Sequence, residues 1–274
     1  VSPFQAVVYG IVQGLTEFLP VSSSAHLRIV PALFGWDDPG TAFTAVIQLG
    51  TMIAVVVYFW RELVHVAVAW LRGLFDKSVR GTLEYRFGWY LILATIPVAV
   101  LGVIFQDQIE TGARNLWLIA SMMIGLALVL LAAERVSPRN REEEDLNHVD
   151  AAVIGAAQAL ALIPGVSRSG ATITAGLFRG LTREAAARFS FLLSVPAVVG
   201  SGLFEARKIG GDGGPGAGVT VLATILSFVV GLASIAWLIR YISEHSTMVF
   251  VIYRVAMGVL LILLLSFGVI SATP

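Results

Sequence analysis

The sequence predicts an all-α integral membrane protein made of two inverted-topology repeats, each a re-entrant helical hairpin plus three transmembrane helices. Three observations carry this. The 274 residues are 57% hydrophobic and only 13% charged, against about 25% charged in a typical soluble domain. Six apolar stretches have the length a bilayer crossing needs, at 42–60, 88–106, 115–134, 185–204, 217–239 and 249–270. Two further apolar regions, 4–35 and 151–180, are broken by "PVSSSAH" and "PGVSRSG" and match each other.

In the first region, Pro20 ends one arm, because proline disfavours helix in the residue before it. The serines then restart the chain in the manner of a helix N-cap. The second arm, about 12 residues, rises about 18 Å and cannot cross a core of about 30 Å. A hairpin entering and leaving on one side is expected, with its broken backbone shielded by protein or a wet cavity. Three spans follow and complete a first repeat at 1–134. Residues 135–150, containing "RNREEEDLNHVD", read as a solvated linker. Pro164 ends the first arm of the second hairpin in the same way, and three spans complete a second repeat at 151–274. The glycine-rich 210–218 reads as a loop without the strand–helix context of a nucleotide site.

The repeat is carried by polar residues and glycines. At an offset of 145, Gly10, Gln13, Leu15, Val21, Ser22 and Ser24 match Gly155, Gln158, Leu160, Val166, Ser167 and Ser169. Three crossings between the hairpins put them on opposite faces, so their tips can meet inside the membrane. Arginine and lysine concentrate at 61–87, 135–150 and 179–188, all on one side. The other side carries Arg114, Arg207, Lys208 and the acidic "WDDPG" at 36–40. The positive-inside rule then places both termini outside, with the first hairpin opening outward.

The chemistry sits at the two tips. Gln13 and Glu17, four apart, share a helix face. A carboxylate at membrane depth is a functional candidate by default. Glu17 near the end of one arm and His26 near the start of the other are expected to approach, giving a histidine oriented by a carboxylate with Ser22 and Ser23 beside it. Such a set suits a nucleophile or a general acid–base pair. The second tip offers Ser167, Arg168, Ser169, Gly170 and Thr172: a permanent cation, hydroxyls and free backbone N–H groups, which is what a phosphate needs. Ser24 and its twin Ser169 are expected as helix caps. Ser23 falls opposite Arg168 in the repeat, dividing attack from phosphate binding.

With these residues the chain resembles the undecaprenyl-diphosphate phosphatase family of the bacitracin-resistance type. The resemblance rests on "QGLTEFLPVSSSAH" at 13–26 and "PGVSRSGAT" at 164–172, and covers nearly the whole chain. It implies a multi-pass enzyme of the bacterial inner membrane, and the charge bias turns its active site outward. The enzyme removes the terminal phosphate of a C55 polyprenyl diphosphate and returns the monophosphate carrier to peptidoglycan synthesis, which confers bacitracin resistance. By the same resemblance Glu17 and His26 are catalytic, Ser22 or Ser23 lies in the site, and Ser167, Arg168 and Thr172 bind the diphosphate. A divalent cation, Mg²⁺ or Ca²⁺, is implied, with Glu17 and Gln13 as candidate ligands. Gln13 is a neutral amide, a weaker ligand for a hard cation than a carboxylate, so the diphosphate oxygens would supply much of the coordination.

Two nucleophiles remain open. His26 is preferred, and Ser23 attacking with His26 as base is the alternative. The expected partners are a polyprenyl diphosphate lipid and the bilayer. A net charge of zero gives no sign of nucleic acid, and the absence of cysteine excludes thiolate chemistry. A homodimer is left open. The rival class is a lipid-phosphate transporter or flippase, because inverted repeats with broken helices also build transporters. A carboxylate beside the phosphate argues for chemistry over carriage.

Overall fold

A computed structural model describes residues 1–105, 115–205 and 216–273. Among them the chain forms eleven α-helices and no strand. The first hairpin is α1 (Pro3–Thr16) and α2 (Ser23–Phe34). Then come α3 (Gly40–Tyr58), α4 (Trp60–Phe75), a 3₁₀ turn at Lys77–Gly81, α5 (Leu83–Ile104) and α6 (Leu116–Val136). The second hairpin is α7 (His148–Ala159), a 3₁₀ turn at Leu160–Leu162, and α8 (Arg168–Phe178). It is followed by α9 (Arg183–Glu205), α10 (Ala217–Glu244) and α11 (Met248–Ser266).

No hairpin arm exceeds the 14 residues of α1, about 21 Å of rise, so none can cross alone. Both breaks are built alike. Ser22 and Ser167 take left-handed backbone, at φ 78° and 74°, which non-glycine residues rarely adopt. Each then caps its second arm: the Ser22 hydroxyl accepts from the Ala25 N–H, and that of Ser167 from the Gly170 N–H. The cap roles expected for Ser24 and Ser169 thus fall two residues earlier. Ser24 and Ser169 instead bond the cap hydroxyls, each at 3.2 Å.

The hairpins dock on helices of the opposite half. The α1 helix packs on α10, and α7 packs on α5. The twin glycines make both contacts. A Cβ on Gly10 would lie 2.6 Å from the Ala223 carbonyl oxygen, and one on Gly155 would lie 2.5 Å from the Ala94 Cα. Only a bare backbone allows so close an approach, which is how membrane helices gain packing without a hydrophobic drive. The core between them runs from Phe18 through Phe59, Phe87, Phe189 and Phe191 to Leu238.

The helices α5, α6, α10 and α11 are long and apolar enough to cross a membrane. The predicted span at 42–60 forms α3, which bends by 77° into α4. The charged stretch from 61, which its arginines and lysines mark as a linker between spans, is therefore largely helical. Its apolar residues Trp60, Val64, Val68, Leu71 and Phe75 are exposed along one stripe, as in a helix lying in the interface. The span predicted at 185–204 forms α9. It is less apolar because Ser190 and Ser194 are buried against protein, not lipid.

The arginine-rich segments converge at one end. Arg188 joins Glu62 at 2.5 Å and Glu143 at 3.0 Å. Arg139 and Arg183 both bond Glu134. Arg141 and Arg179 each lie 2.6 Å from the Asp150 carboxylate. Burial raises the Asp150 pKa, but the Arg141 and Arg179 hydrogen bonds outweigh it and hold the carboxyl below its ordinary value. Glu143 goes the other way, since its burial exceeds what Arg188 offsets. Arg114, Arg207 and Lys208, expected at the opposite end, lie outside the described residues, as does most of the 210–218 loop.

Candidate active site

The tips of the two hairpins meet. Ser169 of α8 donates to the Leu19 carbonyl of the first turn at 3.0 Å. Arg254 of α11 holds both turns from below. It is fully buried and donates to the carbonyls of Pro20 in the first turn and of Gly165 and Val166 in the second. It also reaches Met122 and Met123 of α6. The turn carbonyls of Pro20, Gly165 and Val166 lie at the breaks, outside the helices, and a buried unpaired carbonyl costs about 1–3 kcal/mol. One guanidinium, with five N–H donors, answers that need.

Glu17 stands where the tips join. It is 7% exposed and every neighbour donates to it. Its Oε1 accepts from Arg168 at 2.5 Å and from the Gln48 amide at 3.3 Å. Its Oε2 accepts from the Ser23 hydroxyl at 2.6 Å and from the Gln13 amide at 3.0 Å. Gln13 is itself held by Thr51. The bond from Ser23 has the ordinary length of a charge-assisted hydroxyl–carboxylate pair and sets the carboxylate where it can take the serine proton.

A cavity of about 210 Å³ opens beside these groups. Glu17, Ser22, Ser23, Ser24, Gln48, Ser167 and Arg168 line it, together with Val98, Gln158, Ala161, Leu162 and Ala197. Cation, hydroxyl and carboxylate therefore share one space, as the two motifs lead one to expect. Ser169, Gly170 and Thr172 stand behind it in protein bonds. Thr172 donates to the Arg168 carbonyl at 2.8 Å and pairs with the Ser190 hydroxyl at 2.7 Å.

His26 departs from the expected arrangement. The groups bonded to its ring are not Glu17 but the Ser22 carbonyl, 2.7 Å from Nδ1, and the Tyr253 hydroxyl, 2.6 Å from Nε2. A carbonyl only accepts, so Nδ1 carries the hydrogen, and in the neutral ring Nε2 accepts from Tyr253. The tyrosine ring stacks on the imidazole at 5.6 Å. The reason is helical geometry. His26 is one turn after Ser22, so its ring folds back on the peptide joining Ser22 to Ser23, away from the α1 end that holds Glu17.

Gln48, Tyr253, Arg254 and Gln158 complete the surroundings and were not singled out as site residues from sequence. Arg254 was findable as a lone charge inside an apolar span, and Gln158 as the repeat twin of Gln13.

The donor set does not fit a protein-held divalent cation. Among the described residues no group of three His, Cys, Asp or Glu side chains could hold one. Both oxygens of Glu17 already accept from donors, and Gln13 turns its NH₂, not its oxygen, toward the carboxylate.

Comparison with known proteins identifies the family. The model of the family described as bacitracin resistance protein BacA matches residues 6–260. A protein of Nocardioides sp. named undecaprenyl-diphosphatase is 52% identical over 269 residues, covering 98% of each chain. One of the same name from Nocardia farcinica is 51% identical over 305 aligned residues, covering 98% of this chain and 97% of its own. Another from Thermobifida fusca is 49% identical over 270 residues, covering 98% and 92%. The chain belongs to the bacitracin resistance protein BacA family.

Proposed function

We propose that the chain hydrolyses undecaprenyl diphosphate to undecaprenyl phosphate and inorganic phosphate, with Ser23 as the nucleophile. It is a multi-pass membrane hydrolase. The observation that carries the mechanism is the Ser23–Glu17 hydrogen bond beside Arg168 in one cavity.

The terminal phosphate enters against Arg168, whose fork of five N–H donors matches phosphoryl oxygens. Glu17 takes the Ser23 proton as the hydroxyl oxygen attacks phosphorus. Undecaprenyl phosphate leaves. Gln13 and Gln48 keep the carboxylate oriented. Such a site works by positioning and charge neutralisation, the main sources of catalysis in phosphoryl transfer. His26 lies outside the cavity lining and grips the Ser22 carbonyl. It thereby fixes the peptide that carries Ser23, which favours a positioning role over attack. A divalent cation would have to be held by the diphosphate, since the side chains of the described residues do not form a site for one.

We place the site on the outer face of the plasma membrane, on the strength of the arginine-rich end described above. The C55 tail lies along apolar helix faces open to lipid. Phosphate release from undecaprenyl diphosphate by purified protein in detergent tests the activity. Transfer of the lipid between leaflets with no phosphate released would instead establish a carrier. Reagent labelling of the 135–150 linker from outside intact cells would reverse the orientation.

A further inference from the structure

Gln158 is fully buried in α7 and lines the same cavity. Its NH₂ donates to the Ala94 carbonyl at 3.3 Å. That carbonyl only accepts, so the contact fixes which way the amide points. The other end, Oε1, meets no hydrogen-bond partner among the described residues. Buried amide oxygens are almost always satisfied, and exceptions at a cavity point to a function.

The repeat explains how this oxygen came to be unpaired. Gln13, the twin of Gln158, has its amide engaged by Glu17 and Thr51. At the positions matching those two residues the second half carries Leu162 and Pro196, which offer no hydrogen-bond donor. The wall beside Gln158 is apolar, formed by Val98, Ala161, Leu162 and Ala197. Among the side chains of this wall, its oxygen is the polar atom left without a partner among the described residues.

An amide oxygen has lone pairs and no hydrogen. It repels a phosphate oxyanion and attracts an O–H. We infer that Gln158 positions the water molecule that hydrolyses the phosphoserine formed on Ser23. This rests on the proposed role of Ser23. The water gives one O–H to Oε1 and turns a lone pair toward phosphorus, in the space vacated by undecaprenyl phosphate. Its oxygen bonds phosphorus as the bond from phosphorus to the Ser23 oxygen breaks. Both water hydrogens leave on the phosphate, as H₂PO₄⁻. The serine oxygen recovers its proton from Glu17, which took that proton in the first step. No other reactant is needed.

Rapid-quench kinetics with undecaprenyl diphosphate labelled in its terminal phosphate tests this. Gln158→Leu is expected to release one equivalent of undecaprenyl phosphate per enzyme at a rate within about threefold of wild type. Its steady turnover should fall by roughly a hundredfold or more, and label should accumulate on Ser23, mapped by mass spectrometry. Gln158→Glu, which keeps an acceptor oxygen, should restore part of the turnover. Equal slowing of the burst and of turnover by Gln158→Leu and Gln158→Met would overturn the inference and leave Gln158 structural. Absence of a labelled serine in wild type and in all three variants would overturn the role of Ser23 itself, and this inference with it. Monodispersity and melting temperature of each variant separate these results from misfolding.

Discussion

Arg168 and Glu17, 151 residues apart in the chain, form a 2.5 Å ion pair across the meeting point of the two hairpins. The pair serves two ends. It neutralises a carboxylate at membrane depth, and it holds the cation where a phosphate arrives. Lysine would keep the charge and lose the fork of donors. Arg168→Lys should lower kcat/KM by roughly 10- to 100-fold, about 1.4–3 kcal/mol of transition-state binding. Steady-state phosphate release over a range of substrate concentrations measures this, with unchanged melting as the control.

The three consecutive serines separate by contact. Ser23 bonds Glu17, Ser22 caps α2, and the exposed Ser24 bonds, among the described residues, only the Ser22 hydroxyl. Ser23→Ala should reduce phosphate release by about 10³-fold or more. Ser24→Ala should stay within about fivefold of wild type, the worth of one exposed hydrogen bond. Equal loss in the two variants would assign both serines to substrate binding and neither to attack.

Histidine 26 offers a sharper test of which group attacks. Asparagine can place its NH₂ where Nδ1 lies and still donate to the Ser22 carbonyl. His26→Asn should retain activity within about tenfold of wild type, whereas His26→Ala should fall further. A nucleophilic imidazole predicts that both variants are dead, and that acid-labile phosphohistidine can be trapped in the wild type.

The buried Arg254 predicts a stability effect. Arg254→Leu leaves the three turn carbonyls of Pro20, Gly165 and Val166 without its donors. The expected loss is on the order of 3–5 kcal/mol, the usual result of removing one side of a buried charged network. Thermal unfolding in detergent should show it, with activity lost in step because both turns lose their support.

The pH dependence of folding should report on Asp150. Its folded pKa is depressed below the ordinary 3.8 by Arg141 and Arg179. The stability it contributes is therefore fully present above that ordinary value and is lost as pH falls through the folded one. Melting temperature should decline on acidification below about pH 4. Asp150→Asn should lower it at neutral pH and flatten the decline.

Much of the site could be read from sequence because polar residues do not break an apolar helix without reason. Glu17, Ser23 and Arg168 were all marked by the two interruptions, and the structure brings them within hydrogen-bond reach. What could not be read is direction. Periodicity places Ser22 and Ser24 near a helix start but does not say which carries the left-handed turn that makes a cap. It places His26 one turn on, but not which neighbour its ring meets. The α4 helix was hidden by its arginines, which look like a loop until the apolar stripe between them is counted. Gln158 was visible as a repeat partner. Its free oxygen is visible only once the structure places it beside an apolar wall of Val98, Ala161, Leu162 and Ala197 with no donor to offer it.

The grip of Arg254 on both turns has a consequence for biosynthesis. The two hairpins leave the ribosome well before α11, yet neither turn has all its carbonyls satisfied until that helix is inserted between them. Catalytic competence therefore arrives late, with the final segment of the fold. A nascent chain paused short of residue 254 would sit in the bilayer with its active-site residues translated and its active site unmade.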